Sequence, residues 1–122
     1  FLPDHEPALS DPDLPMDPSW TSGFDLAAGV HLLIHDAQYD SKEYRAHVGW
    51  GHCSILDAAR FASAVRAKRL VTFHHDPAHD DIKLDEMIQS VSNLVLGDVA
   101  IAPGLEGSHF VVSPDDVTPV RV

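Results

Sequence analysis

The chain has 122 residues, which is enough for one domain and too few for two. Hydrophobic residues make up 44% of it, a fraction that excludes both a membrane protein and a disordered tail. Nineteen acidic residues against eight Lys and Arg give a formal net charge of -11. Because contacts to phosphate backbones need Lys and Arg, long nucleic acid is an unfavourable partner. The composition therefore predicts a soluble globular domain.

The cysteine content indicates the cellular compartment, and the first residues indicate whether the chain is processed or partial. The single cysteine, Cys53, excludes an internal disulfide and favours a reducing compartment, so we expect the cytoplasm. No apolar run approaches the roughly 18 residues of a membrane helix, and no secretory signal opens the chain, so a membrane partner is not expected. The first residue is Phe1 and the first methionine is Met16. We therefore expect a processed, cleaved or partial chain.

Residues 1–23 are predicted to form a proline-rich loop. Five of the nine prolines lie within residues 1–20, and proline is excluded from helix interiors and central strands. Phe1 and Leu2 are predicted to be the end of a strand. A short helical turn is expected from Phe24 to Gly29. The continuous apolar run from Val30 to His35 then predicts a strand buried on both faces.

A helix and a second strand follow. Ser54, with Asp57 three residues later, is the start signature of a helix. Its apolar residues fall on one stripe: Ile55, Ala58, Ala59, Ala62 and Val65. Arg69 to His74 predicts the next strand. A helix between two strands indicates a parallel crossover, and hence an α/β layer architecture.

The rest of the chain continues the alternation. A second amphipathic helix, closed by Gly97, is predicted from the spacing of Leu84, Met87, Ile88, Val91, Leu94 and Val95. Short strands are expected at Val99 to Ala102 and at Phe110 to Val112. Residues 113–122 are predicted to be a tail of the same domain.

Polar, ligand-capable residues follow the predicted strands. Asp4 follows Leu2, His35-Asp36 ends the apolar run, and His74-His75-Asp76 ends the second strand. In α/β sheets, sites gather beyond the carboxyl ends of the strands. Imidazole and carboxylate are the ligands and proton carriers of hydrolytic metal sites. Local motifs such as H-E-x-x-H are absent, so Asp4, His52 and His74 would have to assemble from separate strand ends.

An acidic, histidine-rich loop offers a second interpretation. His75 and His79 lie among acidic side chains that could hold a metal adventitiously: Asp76, Asp80 and Asp81. The alternative is a solvated loop that leads into a helix, whose first turn favours acids. We favour the solvated loop.

Four segments together resemble the metallo-β-lactamase-fold hydrolases. They are Phe1 to Leu9 (FLPDHEPAL), Leu33 to Tyr39 (LIHDAQY), Gly49 to Ser54 (GWGHCS) and Leu70 to Pro77 (LVTFHHDP). Their order and rough spacing are similar to the branch that holds ribonuclease Z and the phosphoribosyl cyclic phosphodiesterases. The resemblance runs from Phe1 to about Gly107, nearly the whole chain. It implies an αββα sandwich of two halves with two metal ions between them.

The resemblance implies a role for each matching residue. Asp4 matches the aspartate of a G-D-T segment that bridges two metals, and His74 matches the last ligand histidine. His52 matches the histidine of an H-S-T segment that assists the leaving group. Asp36 matches the acid of an H-E-A-T segment and would orient or tune His52. The implied cofactors are two divalent ions, Zn²⁺ or Mn²⁺, between which the ligand set does not choose.

The family's main metal motif, H-x-H-x-D-H, does not occur in this sequence. The chain therefore resembles the C-terminal half of the αββα sandwich, and the other ligands would come from a missing N-terminal half or a companion chain. The implied function is hydrolysis of a small phosphodiester or another small ester by a hydroxide held between two metals. The alternative is an inactive half-domain that serves as a structural or assembly partner. A homo-oligomer is left open.

Overall fold

The computed structural model describes residues 1–7, 16–94 and 96–120. Residues 8–15 of the expected proline-rich loop lie outside the described residues, and so do Val95 and residues 121–122. Within the described residues, the helices and strands follow the order α1 (Phe24–Ala27), β1 (Leu32–Asp36), α2 (Ser41–Tyr44), α3 (Ile55–Ala64), β2 (Arg69–Phe73), α4 (Asp81–Ser92), β3 (Ala100–Pro103), β4 (His109–Val112) and β5 (Val117–Val120). The predicted α/β architecture is confirmed.

A parallel three-stranded sheet in the order β1-β2-β3 organises the chain. In its register, His35 pairs with Thr72 and Asp36 with Phe73. Leu2 adds a single parallel bridge to the free edge of β1, donating its N–H to the Ile34 carbonyl oxygen at 2.9 Å. The predicted strand end at Phe1-Leu2 and the parallel crossover are thus confirmed. The carboxyl ends of all these segments meet at one edge of the sheet.

Helix α3 forms the centre of the core. Ser54 is its N-cap and accepts a hydrogen bond from the Asp57 N–H at 3.0 Å, as the sequence predicts. The helix packs on β1, β2 and α4, so its stripe is buried. Phe61 is the largest fully buried side chain. It lies among a core that includes Leu33, Ile55, Ala58, Ala62, Val65, Leu70, Met87 and Val91.

Helix α4 ends earlier than the sequence predicts. It stops at Ser92, with Asn93 as its C-cap, rather than near Gly97. The hydroxyls of Ser90 and Ser92 donate to the carbonyl oxygens of the preceding turn, a bond that competes with the helical ladder. Leu94, expected on the buried stripe, is therefore beyond the helix and 46% exposed.

The C-terminal residues form a hairpin. Strands β4 and β5 pair antiparallel as a separate two-stranded sheet, so the segment expected as a tail contributes a strand. Within the part of the chain that is described, no helix combines the length and the apolar character that crossing a membrane requires.

Helix α2 is a four-residue element that the sequence analysis missed. Its N-cap, Asp40, accepts from the N–H groups of Lys42 and Glu43 at 2.8 Å each, and Glu43 bonds back to the Asp40 N–H. The second oxygen of Asp40 accepts from Lys83 Nζ at 2.5 Å. Asp40 therefore caps α2 and also ties it to the start of α4.

We expect Asp40→Ala to lower the free energy of unfolding by about 1 kcal/mol at pH 7, the usual cost of losing an N-cap. Urea denaturation measures this loss. Asp40→Asn is the matched control, because its amide oxygen keeps the cap while the charge facing Lys83 is lost. An unchanged stability in Asp40→Ala would contradict the capping role.

The contribution of Asp40 also depends on pH. Burial opposes ionisation of this carboxyl, but the hydrogen bonds from Lys83 and the Glu43 N–H outweigh burial and lower its pKa. Because the pKa is lower in the folded protein, ionisation stabilises the fold above the ordinary pKa of 3.8. That stabilisation is lost as the pH falls through the lowered pKa. The difference between wild type and Asp40→Ala should accordingly shrink in acid.

Candidate metal centre

Four side chains gather at the carboxyl edge of the parallel sheet: Asp4, Asp36, His52 and His74. Asp4 follows the Leu2 bridge, and Asp36 is the last residue of β1. His52 precedes the N-cap of α3, and His74 directly follows β2. All four were predicted as site residues, and the structure brings them together with one ligand atom each within 4.8 Å of the others.

Asp36 stands at the centre of this cluster. Its Oδ2 accepts a hydrogen bond from His52 Nδ1 at 2.5 Å and lies 3.3 Å from His74 Nδ1. Asp4 Oδ1 is farther from the two rings, at 3.7 Å from His52 Nδ1 and 3.6 Å from His74 Nδ1. The ring centroids of His52 and His74 are 4.8 Å apart. Both imidazoles thus lie beside the same two carboxylates, with His52 closer to Asp36 than His74 is, and their separate roles stay a prediction.

Burial differs sharply between the two carboxylates. The Asp36 side chain is fully buried, whereas that of Asp4 is 68% exposed. Oδ1 of Asp36 accepts from the backbone N–H groups of Gln38 at 3.2 Å and Cys53 at 3.4 Å. A buried carboxylate with both oxygens engaged has a fixed orientation, because turning it would leave buried hydrogen-bonding groups without partners. Asp36 is thus the rigid member of the cluster and Asp4 the accessible one.

His74 reaches the cluster through its backbone conformation. The strand was predicted to continue through His74, but β2 ends at Phe73 and His74 has a φ of 59°. The predicted strand is therefore one residue too long, because a left-handed residue no longer follows the two-residue period of a strand. The ring is nevertheless in the cluster, and His75 is outside it.

The acidic loop after β2 has structural roles. Asp80 caps α4 by accepting from the Lys83 N–H at 2.8 Å, and Asp76 accepts from the Ala78 N–H at 2.8 Å. His79 Nε2 pairs with Glu43 Oε1 at 2.9 Å. Burial lowers the pKa of His75. These contacts agree with a loop that leads into a helix.

A buried histidine pair lies beneath the cluster. His5 Nδ1 and His35 Nε2 share a hydrogen bond of 2.7 Å, and His35 Nδ1 donates to the Asp36 carbonyl oxygen at 2.6 Å. Burial lowers the pKa of His5, and it lowers the pKa of His35 to about 4. Both rings also contact Phe61, with centroids 4.9 and 5.2 Å away. The pair links the segments that carry Asp4 and Asp36 to the core.

Glu6 connects the Asp4 segment to the His52 loop, and the sequence analysis missed it. Its carboxylate accepts from the N–H of Gly49 at 2.8 Å, from the N–H of Gly51 at 2.9 Å, and from the Tyr44 hydroxyl at 2.8 Å. Gly49 and Gly51 have φ values of 84° and 91°, which glycine adopts without strain. No local pattern could reveal this contact, since its partners are more than 35 residues apart in sequence.

The donor set suits a divalent metal ion. Two imidazoles and two carboxylates are ligand types that Zn²⁺ accepts, and a mixed nitrogen and oxygen set also admits Mn²⁺. The buried carboxylate Asp36 faces both imidazoles, which gives the cluster the negative charge that a cation requires. The residues present therefore fit a metal, although four side chains do not complete the shells of two ions.

Comparison with known proteins relates the chain to a ribonuclease. It is 27% identical over 78 residues to the ribonuclease Z of Anoxybacillus flavithermus (strain DSM 21510 / WK1), a stretch that covers 64% of this chain and 25% of that protein. The matched stretch thus spans a quarter of the length of this relative. No family model matches the chain. The relationship is distant and gives only a coarse hint of the family.

Proposed function

We propose that this chain is the C-terminal portion of a binuclear metal-dependent hydrolase that cleaves a small phosphodiester. The observation that carries the proposal is the cluster of Asp4, Asp36, His52 and His74 at the carboxyl edge of the sheet. The similarity to ribonuclease Z supports hydrolytic chemistry. The net charge of -11 favours a small substrate over a long, multiply charged nucleic acid.

Asp4 and His74 are the proposed ligands of the metal ions, with the buried Asp36 close enough to contribute an oxygen. Divalent ions held there would supply Lewis acidity, lowering the pKa of a water molecule towards about 7 and stabilising the charge that develops on the phosphoryl oxygens. The Asp4 side chain is exposed, so a metal ion bound to it could also bind ligands contributed from outside this chain.

His52 is the proposed proton donor to the departing oxygen. The hydrogen bond from its Nδ1 to the buried carboxylate of Asp36 fixes the ring, so Nε2 is the nitrogen that can carry the transferred proton. His52 and Asp36 thus form the proton-transfer part of the site.

The proposal requires ligands beyond those in this chain. The sequence has no two histidines separated by a single residue, so it lacks an H-x-H-x-D-H segment. We propose that a preceding segment or a companion chain supplies it. The whole enzyme would then bind its metals between two halves.

We expect the 122-residue chain alone to bind two metal ions poorly and to show no phosphodiesterase activity. Metal analysis after dialysis against Zn²⁺ or Mn²⁺, together with hydrolysis of bis(p-nitrophenyl) phosphate, tests both statements. Two tightly held equivalents per chain with turnover would contradict the need for outside ligands.

Adding a polypeptide that carries H-x-H-x-D-H distinguishes the proposed hydrolase from the alternative, an inactive half-domain that serves as an assembly partner. The hydrolase proposal expects two metal ions and turnover in the combined protein. A stable complex that binds no metal and has no activity would instead favour the assembly partner.

A further inference from the structure

Trp50 is an exposed aromatic side chain whose loop is rigidly held. It is 68% exposed and lies between Gly49 and Gly51. Single exposed apolar residues are common on protein surfaces and need no functional explanation. What sets Trp50 apart is the number of contacts that fix its backbone and ring.

The backbone on both sides of Trp50 is bound by one carboxylate. Glu6 accepts from the N–H of Gly49 through both oxygens, at 2.8 and 3.1 Å, and from the N–H of Gly51 at 2.9 Å. The Trp50 N–H donates to the His47 carbonyl oxygen at 3.1 Å. Hydrogen bonds to a charged group are about twice as strong as neutral ones, so this carboxylate anchors the loop.

The ring of Trp50 is supported from behind. It meets the His47 ring edge to face, with centroids 4.9 Å apart. His47 in turn stacks on the buried Tyr39, with centroids 4.4 Å apart and an angle of 13° between the rings. These three rings form a row from the buried Tyr39 to the surface, and the indole at its end is exposed to solvent.

Trp50 is close in sequence to the proposed proton donor, His52. Trp50 and His52 are two residues apart, so their Cα atoms are separated by no more than about 7.6 Å. A substrate bound next to His52 would thus lie near the segment that carries the indole. A loop fixed in advance presents that surface without a further entropic cost on binding.

We propose that Trp50 is an aromatic-binding platform of this site, on which a planar ring carried by the ester substrate stacks. This inference rests on the proposed function in one respect, because it takes the ester to bind next to His52. It adds the chemical class of the substrate, an aryl or other aromatic ester rather than an alkyl ester. An indole accepts any planar ring, since stacking does not depend on a hydrogen-bond pattern.

Binding of two non-reacting probes of equal charge tests the platform without requiring turnover. Phenyl phosphate and methyl phosphate differ in the ring, and NMR titration of the chain measures the affinity of each. Stacking on one aromatic side chain contributes about 1 to 3 kcal/mol. We therefore expect phenyl phosphate to bind roughly 5- to 150-fold more tightly than methyl phosphate.

Four substitutions, one of them a control, assign that preference to particular residues. Trp50→Ala should remove it, and Trp50→Phe should retain part of it. Trp20→Phe is the matched control, because Trp20 is the other tryptophan and is 49% exposed outside this loop. Glu6→Ala should weaken the preference although Trp50 is present, because the loop loses its anchor.

Equal affinity for the two probes would overturn the platform, as would a preference that survives Trp50→Ala. The outcome is distinguishable from failure of the hydrolase proposal, which is measured by hydrolysis of bis(p-nitrophenyl) phosphate in the completed protein. Turnover without a ring preference would reject only the platform. A ring preference lost with Trp50, in a protein that never hydrolyses an ester, would reject only the hydrolase.

Discussion

Replacing His52 with alanine is expected to lower the rate of phosphodiester hydrolysis by the completed protein roughly 10²- to 10⁴-fold. The expectation follows from the 2.5 Å hydrogen bond to the buried carboxylate of Asp36, which orients the ring as a proton donor. If His52 acts only in proton transfer, the metal content should not change. Steady-state kinetics and metal analysis on the same preparation measure both quantities.

Metal analysis is needed beside the kinetics because His52 and His74 both lie within 4 Å of Asp36 and of Asp4. His31→Ala is a suitable control, since His31 bonds to the Pro114 carbonyl oxygen and lies outside the cluster. A loss of metal that matches the loss of activity would reject the proton-donor role and make His52 a ligand.

His74→Ala is expected to remove one metal ion and abolish activity, whereas His75→Ala should retain both ions. Only His74 belongs to the cluster, with Nδ1 at 3.3 Å from Asp36 and 3.6 Å from Asp4. Metal analysis of the two variants in the completed protein, alongside the rate of hydrolysis, provides the comparison. Because the residues are adjacent, each variant is the natural control for the other.

The left-handed backbone at residue 74 calls for a second substitution. Alanine adopts a positive φ poorly, so a loss of metal in His74→Ala could reflect a shifted backbone. Asparagine adopts this conformation more readily and has a poorly ligating amide. His74→Asn should therefore lose the metal ion while the melting temperature stays close to that of wild type. If His75→Ala lost the metal and His74→Asn kept it, the ligand assignment would be reversed.

Much of the fold is predictable because its signals are local. The cap at Ser54 and the stripe through Val65 lie within twelve residues, and they correctly predict α3. Helix α2 was missed because four residues are too short for an apolar period, although Asp40 and Glu43 match a capping box. Strand β5 contains Pro119, a residue that normally argues against a central strand. An edge position in a two-stranded sheet tolerates it.

The cluster is predictable for a topological reason. Once the strands are known to be parallel, residues that follow them must meet at one edge, as Asp4, Asp36 and His74 do. The backbone angle of His74 and the carboxylate anchor of Glu6 are not predictable in this way. The Glu6 contacts join segments distant in sequence, and a single left-handed residue leaves no trace in a periodic pattern.

At His74, the backbone conformation favours glycine for folding stability, whereas the proposed metal site needs the histidine side chain. Within the described residues, only Arg66 and His74 adopt a left-handed backbone without being glycine. Glycine would relieve a backbone cost of about 1 kcal/mol there, so selection for stability alone would favour it over histidine. Among the four residues of the cluster, His74 is the one at which replacement by glycine would relieve backbone strain. A lineage released from the need for this site should therefore drift towards glycine at residue 74.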